Sequence, residues 1–330
     1  MRQPSYWNRQ DFISRLIVQL LTPIGWIYSL SVAFRAAHAT PYRSRAKVVC
    51  VGNLTAGGSG KTPIAMEIAR MLIARGRRPV FLTRGYGGRL RGPAFVGPDD
   101  RASHVGDEPL LLATVAPVIV ARDRAAGARL ADKHNFDSIV MDDGHQNFSL
   151  MKDLSLIVVD AISSFGNNRV LPAGPLRETV AQGLRRAHGI VINGVETPPR
   201  IARVKLPVVR ARLAPIGDKR WAGKRVVAFA GIGWPERFFA SLAALGAQVV
   251  EARAYGDHYF YPQSEIARLK VRARSENASL VTTEKDYMRM TPSERIGIDV
   301  VPVRVEFGDR AVLDRLLDRL VPRGLPPPAS

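Results

Sequence analysis

The stretch VGNLTAGGSGKTP, residues 51–63, decides the fold prediction because it resembles a phosphate-binding loop. Such loops follow the pattern G-x-x-x-x-G-K-[ST], and Gly60, Lys61 and Thr62 occupy its last three positions. Thr55 stands at the first position, where the pattern has glycine. That position mainly has to turn the chain, which threonine can do at negative φ. We therefore interpret the stretch as a phosphate loop in spite of this departure.

The segments on either side of the loop support this interpretation. AKVVCVG (46–52) predicts a β-strand, and TPIAMEIARMLIARG (62–76) has apolar residues at helical spacing. In a strand–loop–helix unit the backbone N–H groups of the loop face the phosphates, the lysine reaches the β- and γ-phosphates and the threonine hydroxyl ligates Mg²⁺. The predicted ATP-binding residues are Thr55, Ala56, Gly57, Gly58, Ser59, Gly60, Lys61 and Thr62. The competing interpretation is a glycine-rich turn that caps a helix.

Short β-branched runs alternate with longer helical segments through most of the chain. RPVFLTR, APVIVAR, DSIVMDD, LSLIVVD and HGIVING each predict a strand. This alternation predicts an α/β fold with a parallel, doubly wound sheet whose ligands lie beyond the carboxyl ends of the strands. A second set of strands after residues 211–224 predicts a smaller α/β lobe. We divide the chain into an N-terminal stem (1–44), a P-loop core (45–212) and a smaller C-terminal lobe with a disordered proline-rich tail (213–330).

Length and composition limit the kinds of protein this can be. A chain of 330 residues exceeds the roughly 250–300 at which a single core stops growing, which favours two lobes. Its 48 Lys and Arg against 29 Asp and Glu give a net charge of +19. This excess favours anionic partners: nucleic acid, an anionic membrane face or phosphorylated substrates. Cys50 is the only cysteine, so no intrachain disulfide can form.

An apolar segment near the N-terminus allows several interpretations. LIVQLLTPIGWIYSLSVAF (16–34) has no charge over 19 residues, close to the ~20 that span a bilayer. Pro23 would break or kink a straight helix there. Flanking arginines, together with Trp7, Trp26 and Tyr28, favour a segment lying in the headgroup layer. The alternatives are a signal peptide ending near Ala37-His38-Ala39, a short membrane span and a buried helix of a soluble core.

Acidic residues follow the apolar runs where a nucleotide site needs them. Asp142 and Asp143 come after Ile139-Val140-Met141, the pattern of a strand that ends at a metal-binding acid. A plain turn explains Asp-Asp-Gly equally well in isolation, but the phosphate loop in the same sheet favours metal binding. In GDEP, Asp107 is a good N-cap, although a kinase also needs a carboxylate that accepts a proton from the acceptor hydroxyl.

Several of these motifs occur together in the order found in one family. VGNLTAGGSGKTP, TRGYGG, GDEP, DDGHQN, LPAGPLRE, AGIGWPERFFASLAALG, GDHY and VTTEKD resemble the ordered motifs of the tetraacyldisaccharide 4′-kinases. The resemblance runs from the N-terminal segment to about Arg289. It implies two α/β/α lobes joined by a two-stranded linker, with an N-terminal membrane-associated helix. It also implies transfer of the ATP γ-phosphoryl to the 4′-hydroxyl of a tetraacyl disaccharide 1-phosphate, in lipid A biosynthesis at the cytoplasmic face of the inner membrane.

The same resemblance implies roles for individual residues. Asp107 of GDEP would be the general base, paired with His258 of GDHY, a residue that composition alone indicates only as a packed histidine. The residues implied around Mg²⁺ are Thr62, Glu108, Asp142 and Asp143. Those implied to bind phosphate or acceptor are Arg84, Tyr86, Arg124 and Arg177. The sequence departs from the family at DDGHQN, where DDGFQH is common, so roles that rest on the usual Phe and His do not carry over to His145 and Asn147.

Two other classes of protein share part of this pattern. A P-loop GTPase or ATPase switch, such as a metallocentre chaperone, would also have the loop and Asp142. It should additionally show a guanine-binding N-K-x-D or a Cys/His tract, and the sequence has neither. A nucleic-acid-binding protein would share the net charge, but the Lys and Arg residues are dispersed and no aromatic platform lies among them. We therefore expect the lipid disaccharide and the membrane surface as partners, with no nucleic acid and no obligate protein partner.

Overall fold

Two sheets organise the residues that the computed structural model describes, which are 4–7, 9, 11–216 and 218–320. The proline-rich tail predicted to be disordered lies outside these residues. The strands are β1 (Lys47–Gly52), β2 (Pro79–Thr83), β3 (Ala94–Phe95), β4 (Val118–Val120), β5 (Ser138–Asp142), β6 (Leu154–Asp160), β7 (Gly189–Asn193), β8 (Val208–Pro215), β9 (Arg225–Ala230), β10 (Gln248–Ala254), β11 (Ser279–Thr283), β12 (Ile298–Val301) and β13 (Val303–Phe307).

Helices cover these sheets and precede the first strand. A 3₁₀ turn (Ser5–Trp7) leads into α1 (Phe12–Ala37). The remaining helices are α2 (Lys61–Ile73), α3 (Ala102–Val105), α4 (Asp107–Leu112), α5 (Arg124–Lys133), α6 (Val180–Arg185), α7 (Asp218–Trp221), α8 (Pro235–Ala244), α9 (Gln263–Ser275), α10 (Glu284–Met288), α11 (Pro292–Arg295) and α12 (Arg310–Asp318).

The larger sheet has nine strands in the order β13-β8-β7-β6-β1-β5-β2-β4-β3. The seven strands from β8 to β4 are parallel, and an antiparallel strand closes each edge. Helix α2 packs on one face through residues such as Ile68 and Leu72, whereas Ala128 and Ala131 of α5 pack on the other. Because both faces are covered, the central strands are apolar runs with almost no exposed side chain. The predicted doubly wound α/β fold is confirmed.

The second sheet is smaller and entirely parallel, in the order β10-β9-β11-β12. Its helices also divide between two faces, with Phe238 and Leu242 of α8 in one apolar cluster and Ile266 and Leu269 of α9 in the other. The region from residue 218 to 301 therefore has two hydrophobic clusters of its own, as expected for a separate lobe.

The C-terminal end of the chain returns to the larger sheet, a difference from the expected division at residues 212 and 213. The run VVPVRVEF, which the sequence indicates as one strand, is split at Pro302 between β12 of the small sheet and β13 of the large one. Strand β13 pairs antiparallel with β8, and Leu313 and Leu317 of α12 pack into the core of the larger lobe. Proline cannot donate to a strand ladder, so the chain changes sheets at that residue. Strands β8 and β13 together form a two-stranded connection between the lobes.

Helix α1 packs on the larger lobe through its small and polar residues. Ser14, Gly25, Ser29 and Val32 are buried, and a Cβ on Gly25 would lie 2.9 Å from the Val170 carbonyl oxygen. The helix continues through Pro23, where the sequence indicates a break or a kink. Its large apolar side chains point away from the protein: Phe12, Ile13, Leu16, Leu20, Ile24, Trp26, Ile27, Tyr28, Leu30 and Phe34. The interpretation as a buried core helix is therefore wrong, and α1 is long and apolar enough to cross a membrane.

Candidate active site

The phosphate loop connects β1 to α2 at the carboxyl edge of the larger sheet. Gly60 precedes α2 with φ of +83°, and a Cβ there would lie 2.6 Å from Nδ2 of Asn193. That amide nitrogen donates to the Ser59 carbonyl at 3.1 Å, while Nδ2 of Asn53 donates to the Ser59 hydroxyl at 3.2 Å. Left-handed backbone and close approach both require glycine at position 60. Asn53 and Asn193 hold the loop from its two sides.

Thr55, the residue that departs from the usual pattern, takes an extended conformation. It forms an antiparallel bridge with Leu176, and the next residue, Ala56, donates its N–H to the Pro175 carbonyl at 2.7 Å. The φ angle of Thr55 is not positive, so its backbone is not left-handed. The LPAGPLRE segment thus supports the start of the loop, so glycine is not needed at this position.

The two residues that begin α2 face the two acids at the end of β5. The Thr62 hydroxyl donates to Asp142 Oδ2 at 3.0 Å, and Lys61 Nζ lies 3.8 Å from Asp143 Oδ1. Burial and the nearby Glu108 carboxylate raise the pKa of Asp142 to about 7. Burial alone would also raise the pKa of Asp143, but the positive charges of Lys61 and Arg177 lower it to about 2. The pKa values of the adjacent residues Asp142 and Asp143 are therefore shifted in opposite directions.

The residues predicted around Mg²⁺ fit that ion by their chemistry. Asp142 Oδ1 is buried without a hydrogen-bond partner, the Thr62 hydroxyl donates to the other oxygen of the same carboxylate, and the charge of Glu108 acts on it. Among the described residues, no three His, Cys, Asp or Glu side chains form a metal-binding group by themselves. Mg²⁺ typically takes one or two carboxylates together with substrate phosphates, so Glu108, Asp142 and Asp143 need not all contact the ion directly.

Asp107 is a buried carboxylate at the start of α4, with only 4% of its surface exposed. The N-cap of α4 is Gly106, so Asp107 is not the N-cap that its sequence position indicates. Nδ1 of His258 lies 3.1 Å from Asp107 Oδ2, and Nε of Arg289 donates to the same oxygen at 2.7 Å. Although burial alone would raise the pKa of Asp107, the hydrogen bond from His258 and the charges of Lys285 and Arg289 hold it well below its usual range.

His258 brings the second lobe to this carboxylate. It has φ of +58°, its N–H donates to the Gly231 carbonyl at 3.1 Å, and its ring centroid lies 5.3 Å from that of Tyr86. Non-glycine residues with positive φ are uncommon and are often found at functional sites. The structure therefore brings together Asp107 and His258, which lie 151 residues apart in the chain.

Two further cations from the second lobe were not predicted as site residues. Nζ of Lys285 lies 3.1 Å from Glu108 Oε1, and Arg289 contacts Asp107. Lys285 is on α10 and Arg289 is its C-cap, so they are four residues apart and lie on one side of the helix. The VTTEKD motif and this spacing were the available signals, but sequence alone does not show which acids they face.

The four residues predicted to bind phosphate or acceptor occupy different environments. Nη1 of Arg177 donates to Asp143 Oδ1 at 2.8 Å. Arg124 is buried and bonded to the Ala121 carbonyl; its Nε has no partner and burial lowers its pKa to about 10. Arg84 is exposed, and Tyr86 has 58% of its surface exposed beside His258.

The departure DDGHQN has a structural explanation at its first changed position. His145 is buried, with Nδ1 2.9 Å from the Ser155 hydroxyl and Nε2 3.0 Å from the Gly183 carbonyl. Burial lowers its pKa to about 3, so the ring is neutral near pH 7. Gln146 donates to the Asn53 carbonyl at 2.9 Å and thereby supports the phosphate loop. The histidine is thus a packing residue behind the site.

Comparisons with known proteins identify the family of this chain. The sequence profile of the family described as tetraacyldisaccharide-1-P 4'-kinase matches residues 17–322. The tetraacyldisaccharide 4'-kinase of Rhodospirillum rubrum is 46% identical over 338 residues, which cover 99% of this chain and 100% of that protein. The enzyme of the same name from Methylorubrum populi is 47% identical over 334 residues, covering 98% of this chain and 100% of that one.

Structural comparison gives the same result. The fold is similar to the crystal structure of LpxK from Aquifex aeolicus in complex with ATP, with a TM-score of 0.75 and 25% sequence identity. The likeness covers 92% of this chain and 99% of that one. The chain therefore belongs to the tetraacyldisaccharide 4'-kinase family, whose members are phosphotransferases with an alcohol group as acceptor.

Proposed function

We propose that Asp107 is the general base in transfer of the ATP γ-phosphoryl to the 4′-hydroxyl of a tetraacyl disaccharide 1-phosphate. The observation that carries this assignment is the position of Asp107. It is buried, ionised and adjacent to Glu108, whose charge acts on Asp142 beside the phosphate loop. Tyr86, exposed next to His258, marks the side from which an acceptor sugar can approach.

The reaction is written as an in-line displacement at the γ-phosphorus. The acceptor oxygen forms a bond to phosphorus while the bond from phosphorus to the β,γ-bridging oxygen breaks and its electron pair leaves with ADP. The proton of the 4′-hydroxyl passes to the Asp107 carboxylate, and His258 orients that carboxylate. Loop N–H groups and Lys61 stabilise negative charge on the phosphoryl oxygens and the leaving group.

Thr62, Glu108, Asp142 and Asp143 are the residues that would hold Mg²⁺. When bound there, the ion would neutralise charge on the β- and γ-phosphates. Arg177 lies 2.8 Å from Asp143 and limits the repulsion between these acids before nucleotide binds. Arg84 and Arg124 add positive charge for phosphate or acceptor, and Tyr86 offers a ring face to the sugar.

Helix α1 supports action on a lipid that stays in a membrane. Its polar side is fixed to the larger lobe, for example through the Ser29 hydroxyl bond to Gln182 at 3.0 Å. Its exposed apolar side is suited to acyl chains, and the net charge of +19 suits an anionic leaflet. These features favour the cytoplasmic face of the inner membrane as the working location. Closure of the second lobe about β8 and β13 would exclude water from the γ-phosphate.

The test uses full-length protein in detergent with radiolabelled ATP, Mg²⁺ and a tetraacyl disaccharide 1-phosphate. Wild type is compared with Asp107→Asn, Lys61→Ala and a control, Lys47→Ala, whose side chain pairs with Asp153 at the protein surface. We expect lipid labelling with wild type and the control, and losses of at least about 100-fold in the other two variants. ATP hydrolysis without lipid labelling in the wild type would instead indicate a nucleotide-driven switch.

A further inference from the structure

Arg289 makes a two-nitrogen contact with the carboxylate of Asp107 across the interface between the lobes. Its Nε lies 2.7 Å and its Nη2 lies 2.6 Å from Asp107 Oδ2. Only 5% of the arginine side chain and 4% of the aspartate side chain are exposed. A buried contact of this kind fixes orientation more strongly than a surface ion pair, because water does not compete for the same atoms.

The other end of the guanidinium is fixed inside the second lobe. Nη1 of Arg289 lies 2.6 Å from both the Gly231 carbonyl and Asp286 Oδ1. Asp286 is itself buried and accepts from the Gly231 N–H at 3.0 Å and the Tyr261 hydroxyl at 2.9 Å. The guanidinium therefore has a fixed position before it meets Asp107.

The Gly231 carbonyl also positions His258. The Gly231 carbonyl accepts the N–H of His258 at 3.1 Å as well as Nη1 of Arg289. A Cβ on Gly231 would lie 2.8 Å from the Tyr261 hydroxyl, so this residue has no room for a side chain. The Gly231 carbonyl thus positions both His258 and Arg289, which contact the same oxygen of Asp107, Oδ2.

These donors leave the two oxygens of Asp107 in different states. Oδ2 faces Nδ1 of His258 and two nitrogens of Arg289, whereas Oδ1 accepts the Glu108 N–H at 2.9 Å. Oδ2 thus has two hydrogen-bonding partners and a third nitrogen, Nη2, in ion-pair contact, which leaves it little capacity for another proton. Oδ1 is therefore the oxygen available to the acceptor hydroxyl, provided that the carboxylate stays in this orientation.

We propose that Arg289 is a positioning residue for phosphoryl transfer. It holds the Asp107 carboxylate so that Oδ1, which accepts only the Glu108 N–H, is left for the acceptor hydroxyl, and the orientation of the base therefore depends on the position of the second lobe. This inference rests on the proposed function, because it assumes that Asp107 is the base. Without Arg289, Oδ2 keeps only the contact with His258 and Oδ1 keeps only the Glu108 N–H, so the carboxylate is held less firmly in this orientation. Misorientation of a catalytic group typically costs up to about 100-fold in rate.

The experiment compares Arg289→Gln and Arg289→Lys with a matched control, Arg295→Gln. Arg295 belongs to the same lobe and bonds the Tyr287 and Met288 carbonyls without contacting Asp107. For Arg289→Gln we expect kcat to fall about 10- to 100-fold, with KM for ATP and for the lipid within about threefold of wild type. Arg289→Lys should recover part of kcat, and the control should stay near wild type. Thermal unfolding of each variant identifies any that is misfolded, and the lysine variant serves if the glutamine variant does not fold.

A double-mutant cycle separates positioning from general structural support. In an Asp107→Asn background, Arg289→Gln should reduce the residual rate by less than about twofold, because no carboxylate remains to be oriented. Equal fractional losses in both backgrounds, or a kcat for Arg289→Gln equal to that of the control, would overturn the inference and leave the proposed function intact. Wild-type kcat in Asp107→Asn alone would overturn the base assignment itself.

Discussion

Membrane binding through α1 can be tested by replacing two of its outward apolar residues. Leu20 and Ile27 each have 69% of their surface exposed, so Leu20→Ser with Ile27→Ser should leave the fold intact. Full burial of such a side chain contributes about 1.5–3 kcal/mol, so the exposed fraction corresponds to about 1–2 kcal/mol for each residue. The pair then contributes about 2–4 kcal/mol, which is about 30- to 900-fold in the partition coefficient.

The assay is co-sedimentation with vesicles of mixed anionic and zwitterionic phospholipid, at fixed salt. The control is Ile296→Ser, since Ile296 is 73% exposed on the second lobe and distant in sequence from α1. We expect the control to bind as the wild type does, and the double variant to shift to the supernatant while keeping its melting temperature. Equal partitioning of the double variant and wild type would refute the argument and assign vesicle binding to the basic surface.

Three further outcomes follow from the structure. Gly60→Ala forces a side chain into left-handed backbone and against Asn193, so we expect ATP affinity measured by calorimetry to fall at least about tenfold. Burial alone would raise the pKa of Asp160, but hydrogen bonds from Arg237 outweigh this effect and hold the pKa in the folded state below the unfolded value of about 4. Arg237→Gln should therefore lower the melting temperature at pH 7. The difference in melting temperature from the wild type should shrink as the pH falls below about 4, where Asp160 becomes protonated. Burial lowers the pKa of His145 to about 3, so below about pH 6.5 the unfolded state binds a proton that the folded state does not, and the stability of the wild type falls. His145→Phe loses the hydrogen bonds to Ser155 and Gly183, so in denaturant titrations at pH 7.5 its free energy of unfolding should be lower than that of the wild type. The difference should narrow by pH 5.5, because only the wild type loses stability through this histidine.

The nucleotide half of the site could be predicted from sequence because its signals are local. A strand, a glycine-rich loop and a helix follow one another within 27 residues, and the pattern itself specifies the roles of Lys61 and Thr62. The acids at the end of β5 were also predictable, since the carboxyl ends of neighbouring parallel strands meet at one edge. The local sequence is least informative at Asp107. Its position before Pro109 indicates a helix cap, and its partners His258 and Arg289 lie far away in the sequence.

Other features depend on contacts between distant segments, which a local pattern does not encode. The contact of Lys285 with Glu108 and the role proposed for Arg289 require knowing that α10 faces α4, and nothing in the spacing of these cations identifies those partners. The exchange of sheets at Pro302 was hidden for a related reason, because β12 and β13 look like one strand with a proline in its middle. The direction in which α1 faces follows from close packing at Gly25, a residue that helical propensity alone counts as unfavourable.

The return of the chain to the first sheet has a consequence for synthesis on the ribosome. Strand β13 and helix α12 are made after the whole second lobe, yet Leu313, Leu316 and Leu317 complete the core of the first. The nascent larger lobe must therefore wait, with one edge of its sheet unpaired and part of its core uncovered, while some 90 residues of the second lobe are translated. At about 5–20 residues per second this interval lasts roughly 5–20 s, during which the uncovered apolar surface and the unpaired strand edge favour aggregation.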